Sequence, residues 1–160
     1  MPSAAEHALS ILAGTIGVES PPGDWHTITQ DQIDAFARTT LDNQFIHTDP
    51  VRAARESPFG TTIAHGFLTL SLISYLVRSI PRPTDDPERG RAVGINYGLE
   101  RVRFPSPVRV NSRLRARQSL LTVDQKDERT LQLTYRITVE IDGEAKPACV
   151  ADWIIRAIYA

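Results

Sequence analysis

Cysteine is nearly absent from the sequence, since Cys149 is the only one among 160 residues. A single cysteine cannot form an internal disulfide bond, and its neighbours Ala148 and Val150 indicate a small side chain packed in a core. The paired cysteine and histidine spacings of zinc sites, such as C-x-x-C and H-x-x-x-H, are absent too. The sequence therefore predicts neither a disulfide framework nor a bound cofactor or metal.

Long hydrophobic runs and a strong charge bias are also absent. No apolar segment approaches the ~20 residues of a membrane-spanning helix, and the first residues lack the basic segment that opens a secretory signal. Eighteen basic and nineteen acidic residues leave a formal net charge of -1, which gives no global attraction to nucleic acid or an anionic membrane. We expect a soluble, cytoplasmic protein with neither of these as a partner.

The apolar content that is present suffices for one core. A chain of 160 residues with 41% hydrophobic residues is typical of a single domain, here residues 1–160. In its first half, apolar residues at near-helical spacing predict a helix over 4–17. Thr29 suits the N-cap of a helix that begins near Gln30, and Asp49-Pro50 predicts another helix start because proline fits a first turn.

The segment 64–80 is apolar on every side, and Arg78 is its only charged residue. A helix of this composition is expected to be buried on most of its faces. Glycine, serine and threonine interrupt the segment, so a place in a protein core is favoured over a membrane. A polar, proline-rich loop follows at 81–90.

The second half of the chain predicts antiparallel strands. Apolar and polar residues alternate strictly from Leu131 to Asp142, which marks a strand with one solvated face, and Asp142-Gly143 is a turn signal. Other strands are expected at 25–29, 92–98, 101–104, 109–121 and 148–158. A sheet wrapped around one long hydrophobic helix accommodates this order with a single core, so the sequence predicts an α+β fold.

The most informative polar residues lie between the helices. Asp42 and His47 stand five residues apart beside apolar residues, and Gly66 follows where the apolar helix is expected to begin. A carboxylate, an imidazole and a free backbone N–H suffice to add water to an activated double bond, or to remove it, without a metal. The simpler interpretation makes Asp42 a helix cap and His47 a core residue bonded to a carbonyl oxygen.

Three further interpretations remain open for the charged residues. Asp42, His47, Asp49 and His65 together offer ligands for a metal, although their spacing fits no common motif. His65 is more simply explained as a brace for the turn at Gly66. The arginine stripe at positions 109, 113, 115 and 117 is typical of a solvated strand face, with a role in holding CoA phosphates as the alternative.

Three segments, 42–50, 60–70 and 96–104, resemble the MaoC-like, (R)-specific enoyl-CoA hydratases. The first carries the Asp-to-His spacing, the second the His-Gly helix start, and the third is the run from Asn96 to Phe104. The resemblance covers roughly residues 6–157 and is closest to the NodN-like bacterial branch of single-domain proteins. Where the common family motif has glycine directly before the aspartate, this chain has Leu41.

This resemblance implies a hotdog fold, a homodimer whose two sheets join edge to edge, and an acyl-CoA substrate. It implies Asp42 and His47 as the catalytic pair, Gly66 as the oxyanion donor and Ser74 as a polar residue lining the site. The expected reaction is the reversible hydration of trans-2-enoyl-CoA to (R)-3-hydroxyacyl-CoA. The alternatives are a 3-hydroxyacyl-ACP dehydratase subunit, a thioesterase on the same fold, and a non-catalytic acyl-binding protein.

Overall fold

The first half of the chain is helical in the computed structural model, which describes residues 2–160 and leaves Met1 outside. Its helices are α1 (Ala4–Ala13), α2 (Gln30–Thr40), α3 (Phe45–Thr48) and α4 (Pro50–Glu56). The predicted helix starts are confirmed: Thr29 forms a capping box with Gln32, and the Asp49 carboxylate accepts a hydrogen bond from the Arg52 backbone. The predicted helix over 4–17 is wrong at its end, because the chain turns after Ala13 and reaches Gly17 in the left-handed region.

The predicted long helix is shorter and less regular than expected. It consists of α5 (Gly66–Ser71), α6 (Ile73–Leu76) and a 3₁₀ turn (Val77–Ser79). Backbone angles stay right-handed at both junctions, so the pieces form one helical segment, 66–79, here called the central helix. Among residues 2–160, no helix has both the length and the apolar character needed to cross a membrane.

The prediction that the central helix is buried on most of its faces is only half correct. Leu68, Ile73 and Leu76 are buried against the sheet and the other helices. Phe67 and Tyr75, however, are 68% and 50% exposed, although each has one ring of the same chain against it, Phe104 and His26 respectively. The predicted burial therefore fails on the sides of the helix that carry these two aromatic side chains.

The second half of the chain forms a five-stranded antiparallel sheet. Its strands are β1 (His26–Thr27), β2 (Arg91–Arg103), β3 (Arg113–Gln125), β4 (Thr130–Ile141) and β5 (Cys149–Tyr159), in the order β1-β3-β4-β5-β2. The two runs predicted at 92–98 and 101–104 are one strand with register shifts. The strand predicted from Arg109 begins later, since Asn111 has a positive φ and turns the chain first.

The strict alternation predicted for β4 is confirmed. Every second residue from Leu131 to Ile141 is buried, and the residues between them are partly exposed. The buried face of β4 joins the core cluster with the apolar side of α1 and the central helix. A curled antiparallel sheet around a hydrophobic helix is the hotdog arrangement, so the predicted α+β fold class is confirmed.

Strand β2 lies at one edge of the sheet and is exposed along nearly its whole length. Four large apolar or aromatic side chains project from it into solvent: Val93, Ile95, Tyr97 and Leu99. An edge strand also carries a row of unpaired backbone N–H and C=O groups. The structure therefore leaves both an apolar surface and a hydrogen-bonding edge open at β2.

Candidate active site

His47 is held in a fixed orientation on the short helix α3. Its side chain is buried, at 7% exposure, and its Nδ1 lies 2.7 Å from the backbone oxygen of Ile63. Because a carbonyl oxygen only accepts, Nδ1 carries the proton in this contact. In the neutral imidazole the other nitrogen, Nε2, then keeps a free lone pair and acts as a proton acceptor.

His65 packs directly against His47. The two rings stack with their centroids 3.8 Å apart and their planes 24° apart. Nε2 of His65 donates to the backbone oxygen of Asp42 at 3.0 Å, while its buried Nδ1 has no partner among residues 2–160. The ring of His65 is therefore held by one hydrogen bond, to the loop that carries Asp42, and by its stacking on His47.

The role predicted for His65, bracing the turn at Gly66, is only partly right. His65 does precede the central helix as its N-cap residue, but its side chain makes no capping hydrogen bond. It holds the Asp42 backbone instead, from 23 residues away in sequence. His65 thus ties the start of the central helix to the loop that carries the carboxylate.

Asp42 lies just beyond the C-terminal end of α2 and is exposed. The preceding Leu41 has φ 64° and ψ 17°, a left-handed conformation that glycine adopts without steric cost. The turn that the family motif makes with glycine is therefore made here with leucine. Ligand atoms of Asp42, His47 and His65 all lie within 4.8 Å of one another, so one water molecule can contact two of these groups at once.

Burial is the main influence on the protonation of His47. Removal from water lowers the pKa of His47, and repulsion from His65 lowers it further. The hydrogen bond to Ile63 and the nearby charge of Asp42 oppose these effects without cancelling them, so the net pKa is below the usual value of 6.5. The neutral, proton-accepting form of His47 is therefore favoured at neutral pH.

Gln30 supports the site from behind, a role that the sequence did not reveal. Its Nε2 donates to the backbone oxygen of His47 at 2.7 Å and to Asp34 at 2.8 Å, and its Oε1 accepts from Thr62 at 2.6 Å. In sequence, His47 is 17 residues and Thr62 is 32 residues away from Gln30. No local pattern marks Gln30 as more than a first-turn helix residue.

Gly66 is the first residue of α5, as the sequence predicted. Its N–H belongs to the first turn, where no intrahelical acceptor is available. A Cβ at this position would lie 3.1 Å from ring carbons of Phe104, so the ring packs where a side chain would begin. Phe104, which sequence reasoning missed, therefore packs tightly against Gly66, and a larger residue at this position would require the ring to shift.

Ser74 is not brought together with the predicted catalytic residues. It lines two adjoining cavities of about 530 and 310 Å³, and both also include Asn96 and Trp153. Asp42, His47 and Gly66 line neither of these two cavities. The structure thus divides the predicted site residues into a cluster at the start of the central helix and Ser74 two turns later.

The four residues considered for a metal do not form one set. Asp42, His47 and His65 are clustered, but Asp49 caps α4 through the Arg52 backbone. Metal-binding lone pairs lie in the plane of an imidazole ring and must converge on the ion at about 2.0–2.1 Å. Two nearly parallel, stacked rings direct their lone pairs side by side, so this arrangement fits a chelate poorly.

The arginine stripe of β3 is occupied by carboxylates. Arg113 pairs with Asp142, Arg115 with Glu140, and Arg117 with both Glu140 and Glu19. Arg109 lies ahead of the strand. These pairs support the interpretation as a solvated strand face and leave little free charge for a phosphate.

The class of protein is defined by a hotdog sheet whose helix begins beside a carboxylate, an imidazole and a glycine N–H. The chain belongs to the MaoC-like family, because the model of the MaoC like domain matches residues 13–141. The expected likeness to the NodN branch is also confirmed. Nodulation protein N of Rhizobium leguminosarum bv. viciae is 48% identical over 150 residues, with 93% of this chain and 90% of that protein covered.

Two other comparisons agree with the family and the fold. The 3-hydroxyacyl-thioester dehydratase Z of Mycobacterium tuberculosis is 48% identical over 147 residues, covering 92% of this chain and 93% of its own length. The solved structure of the R-hydratase PhaJ1 from Pseudomonas aeruginosa superposes with a TM-score of 0.66 at 23% identity. That match covers 91% of this chain and 83% of the other, and it supports the hotdog fold.

Proposed function

We propose that the protein catalyses the reversible, (R)-specific hydration of trans-2-enoyl-CoA to (R)-3-hydroxyacyl-CoA in fatty-acid metabolism. The observation that carries the proposal is the cluster of Asp42 and His47, with Nδ1 of His47 fixed on Ile63 and Nε2 free. The names of a 48%-identical thioester dehydratase and of a structurally similar R-hydratase support the same reaction class. The chemistry uses no cofactor.

Proton transfer is assigned to the Asp42–His47 pair. In the hydration direction, a water held between them gives a proton to Nε2 of neutral His47 while its oxygen bonds to the β-carbon. The electrons of the double bond move toward the thioester oxygen. The Asp42–His47 pair then returns one proton to the α-carbon. Acid–base assistance of this kind typically contributes ~10²–10⁴-fold in rate.

The developing negative charge on the thioester oxygen needs a fixed donor. The Gly66 N–H at the start of the central helix supplies it, because it lies in the first turn, where no intrahelical acceptor competes for it. One donor of this kind is worth about 3–4 kcal/mol in related oxyanion sites. Ser74 is assigned to the wall of the cavity farther along the helix.

A homodimer joined through β2 completes the proposal. The exposed edge of β2 can pair with the same strand of a second copy, which extends the sheet across both chains. Its apolar side chains and the exposed Phe67 and Tyr75 of the central helix would then be covered. Light scattering tests the dimer directly, and a mass of one chain at working concentration would exclude it.

The deciding experiment follows loss of the conjugated enoyl-thioester absorbance of crotonyl-CoA. The product is then offered to R-specific and S-specific hydroxyacyl-CoA dehydrogenases. We expect turnover to the R product and its loss in the Asp42→Asn variant. Asp49→Asn is the matched control, because Asp49 is a nearby exposed carboxylate outside the cluster and asparagine also caps helices well.

Each other outcome has a definite meaning. Turnover that survives Asp42→Asn would remove the assigned acid–base role. No turnover with enoyl-CoA of any chain length would end the CoA proposal, and the same assay with enoyl-ACP would then test the carrier-protein alternative. Binding of acyl-CoA without turnover on either carrier would support a non-catalytic acyl-binding protein.

A further inference from the structure

The larger of the two cavities beside Ser74 is lined by an unusual number of cations. It encloses about 530 Å³ between the end of the central helix, the loop 81–90 and the sheet. Four arginines line it: Arg78, Arg82, Arg89 and Arg91. The only carboxylate in the lining is Glu88. The cavity therefore has an excess of positive charge in a protein whose overall net charge is -1.

Both carboxylate oxygens of Glu88 already accept hydrogen bonds from neighbouring side chains. Glu88 is 4% exposed, and its Oε1 accepts a hydrogen bond of 2.5 Å from the Tyr135 hydroxyl. Its Oε2 accepts from Arg82, which is also bonded to Asp86 at 3.0 Å. Glu88 and Asp86 thus neutralise Arg82 and anchor the loop to the sheet, and Glu88 also lies near Arg91, but Arg78 and Arg89 are left without a counter-charge within residues 2–160.

Three of the four guanidinium groups have free donors. Arg78 and Arg89 form no ion pair within residues 2–160. Arg91 lies 3.4 Å from Glu88, yet its buried Nη1 makes no hydrogen bond there. A buried guanidinium donor without an acceptor is costly, and a carboxylate or phosphate oxygen is the partner that arginine matches best.

The cavity continues along the central helix toward the proposed reaction site, through the smaller cavity. Ser74, Asn96 and Trp153 are shared with the smaller cavity, whose other walls include Leu70 and Leu99. From Gly66 to Arg78 the helix advances twelve residues, or ~18 Å at ~1.5 Å per residue. An extended substrate arm that starts at the Gly66 N–H and follows the helix therefore ends at the arginines.

We propose that the arginine-lined cavity binds an oxyanion carried by the thioester substrate, at the end of an arm that extends along the central helix. The inference rests on the proposed function for the position of the reacting carbon. A guanidinium group binds either of two oxyanions that such a substrate can carry: a phosphate of the carrier arm, or a carboxylate at the far end of the acyl chain. In both cases Arg78 and Arg89 select the substrate through its charge and do not take part in the chemistry.

The test uses a double variant, Arg78→Gln with Arg89→Gln, in the full-length protein. Both side chains are solvent-accessible and unpaired, so their loss is expected to leave the fold intact. Arg55→Gln is the matched control, because Arg55 is an exposed arginine on α4 outside the cavity. Turnover of crotonyl-CoA is compared with that of crotonyl-N-acetylcysteamine, which carries no phosphate.

If a phosphate is the ligand, the double variant raises KM for crotonyl-CoA about 10-fold or more and leaves kcat unchanged. KM for the N-acetylcysteamine thioester stays the same, and the control matches wild type on both. If an acyl carboxylate is the ligand, KM changes instead for a long-chain enoyl-N-acetylcysteamine with a terminal carboxylate and not for its methyl-terminated counterpart.

Calorimetric binding separates this inference from the proposed function. CoA and a long-chain dicarboxylate are titrated into wild type, the double variant and the control, without any turnover. Weaker binding of one of them to the double variant alone supports the anion site even in a preparation that hydrates nothing. Equal binding and equal KM values in all three proteins would overturn the inference while leaving the hydratase proposal intact.

Discussion

The two ends of the central helix differ in how completely their polar groups are paired. At its start, Nδ1 of His47 and Nε2 of His65 each meet one backbone oxygen, and Gln30 holds the His47 backbone. At its far end, Arg78 has no ion-pair partner within residues 2–160, and neither has Arg89 in the loop that follows. The fixed end suits proton transfer, which needs atoms in place, whereas the cationic end suits long-range recognition of charge.

This difference sets separate expectations for the two ends. Substitutions at the start of the helix should change kcat, because they alter the groups that we propose to contact the reacting atoms. Substitutions beyond its end should change KM or the stability of the fold. A residue that violates this division would show that the two regions are not functionally separate.

The largest effect is expected for His47→Asn. Asparagine can keep a donor near the position of Nδ1, so the contact with the Ile63 carbonyl and the fold are preserved, while the Nε2 base is lost. We expect kcat for crotonyl-CoA to fall ~10²–10⁴-fold with little change in thermal unfolding. Activity near that of wild type would mean that His47 is the buried structural residue of the simpler interpretation.

Glu88→Gln tests the other end through stability. The substitution removes a buried negative charge from Arg82 and weakens the hydrogen bond from Tyr135. Breaking such a buried ion pair costs about 3 kcal/mol in the free energy of unfolding, measurable by urea denaturation. Glu140→Gln is the control, because its pairs with Arg115 and Arg117 are more exposed and should contribute about 1 kcal/mol or less.

Gly66→Ala probes the close contact at the start of the helix. The added methyl group would lie 3.1 Å from the Phe104 ring, so either the ring or the helix must move. If the helix start moves, the donor N–H shifts away from the thioester oxygen and kcat/KM falls, by up to ~10²-fold for a shift of about 1 Å. Phe104→Leu in the same chain should restore part of the lost kcat/KM. If kcat/KM does not recover, the added methyl group obstructs the substrate and its contact with Phe104 is not the cause.

The pH profile reports on the stacked histidines. Because the pKa of His47 is lowered, its neutral form persists below pH 6.5, and kcat/KM should fall only when the pH drops through that lowered pKa. His65→Gln removes the repulsion that lowers the His47 pKa, so the acidic limb should move to higher pH. His7→Gln, on the exposed face of α1, is the control and should leave the limb in place.

Local patterns explain which parts of the fold were predictable. The alternation in β4 and the cap at Thr29 depend on neighbours within a few residues, and both predictions are confirmed. The break of the predicted helix into shorter pieces and the exposure of Phe67 and Tyr75 depend on packing, which composition does not encode. A uniformly apolar segment indicates a covered surface but does not say whether the same chain covers it.

The same distinction applies to the candidate functional residues. Asp42, His47 and Gly66 could be proposed from the sequence because the segments that carry them resemble those of the MaoC-like family. Gln30, Phe104 and Glu88 could not, since each acts through a residue far away in sequence. Glu88 is the clearest case: a proline-rich, highly polar loop gives no sign that one of its carboxylates is buried against the sheet, 47 residues from Tyr135.

The smallest effect is expected at Leu41, which holds the turn before Asp42 in the left-handed region with 80% of its side chain exposed. That conformation costs a non-glycine residue about 1–2 kcal/mol of strain in the folded state. Glycine removes this strain, but it also makes the unfolded chain more flexible, which lowers the gain in stability by about 0.5–1 kcal/mol. Leu41→Gly should therefore raise the free energy of unfolding by about 1 kcal/mol or less. Since the Asp42 backbone stays bound to His65, kcat should not change. A stabilised variant with lower kcat would show that leucine fixes Asp42 more firmly than glycine does, and that strain at this turn serves the reaction.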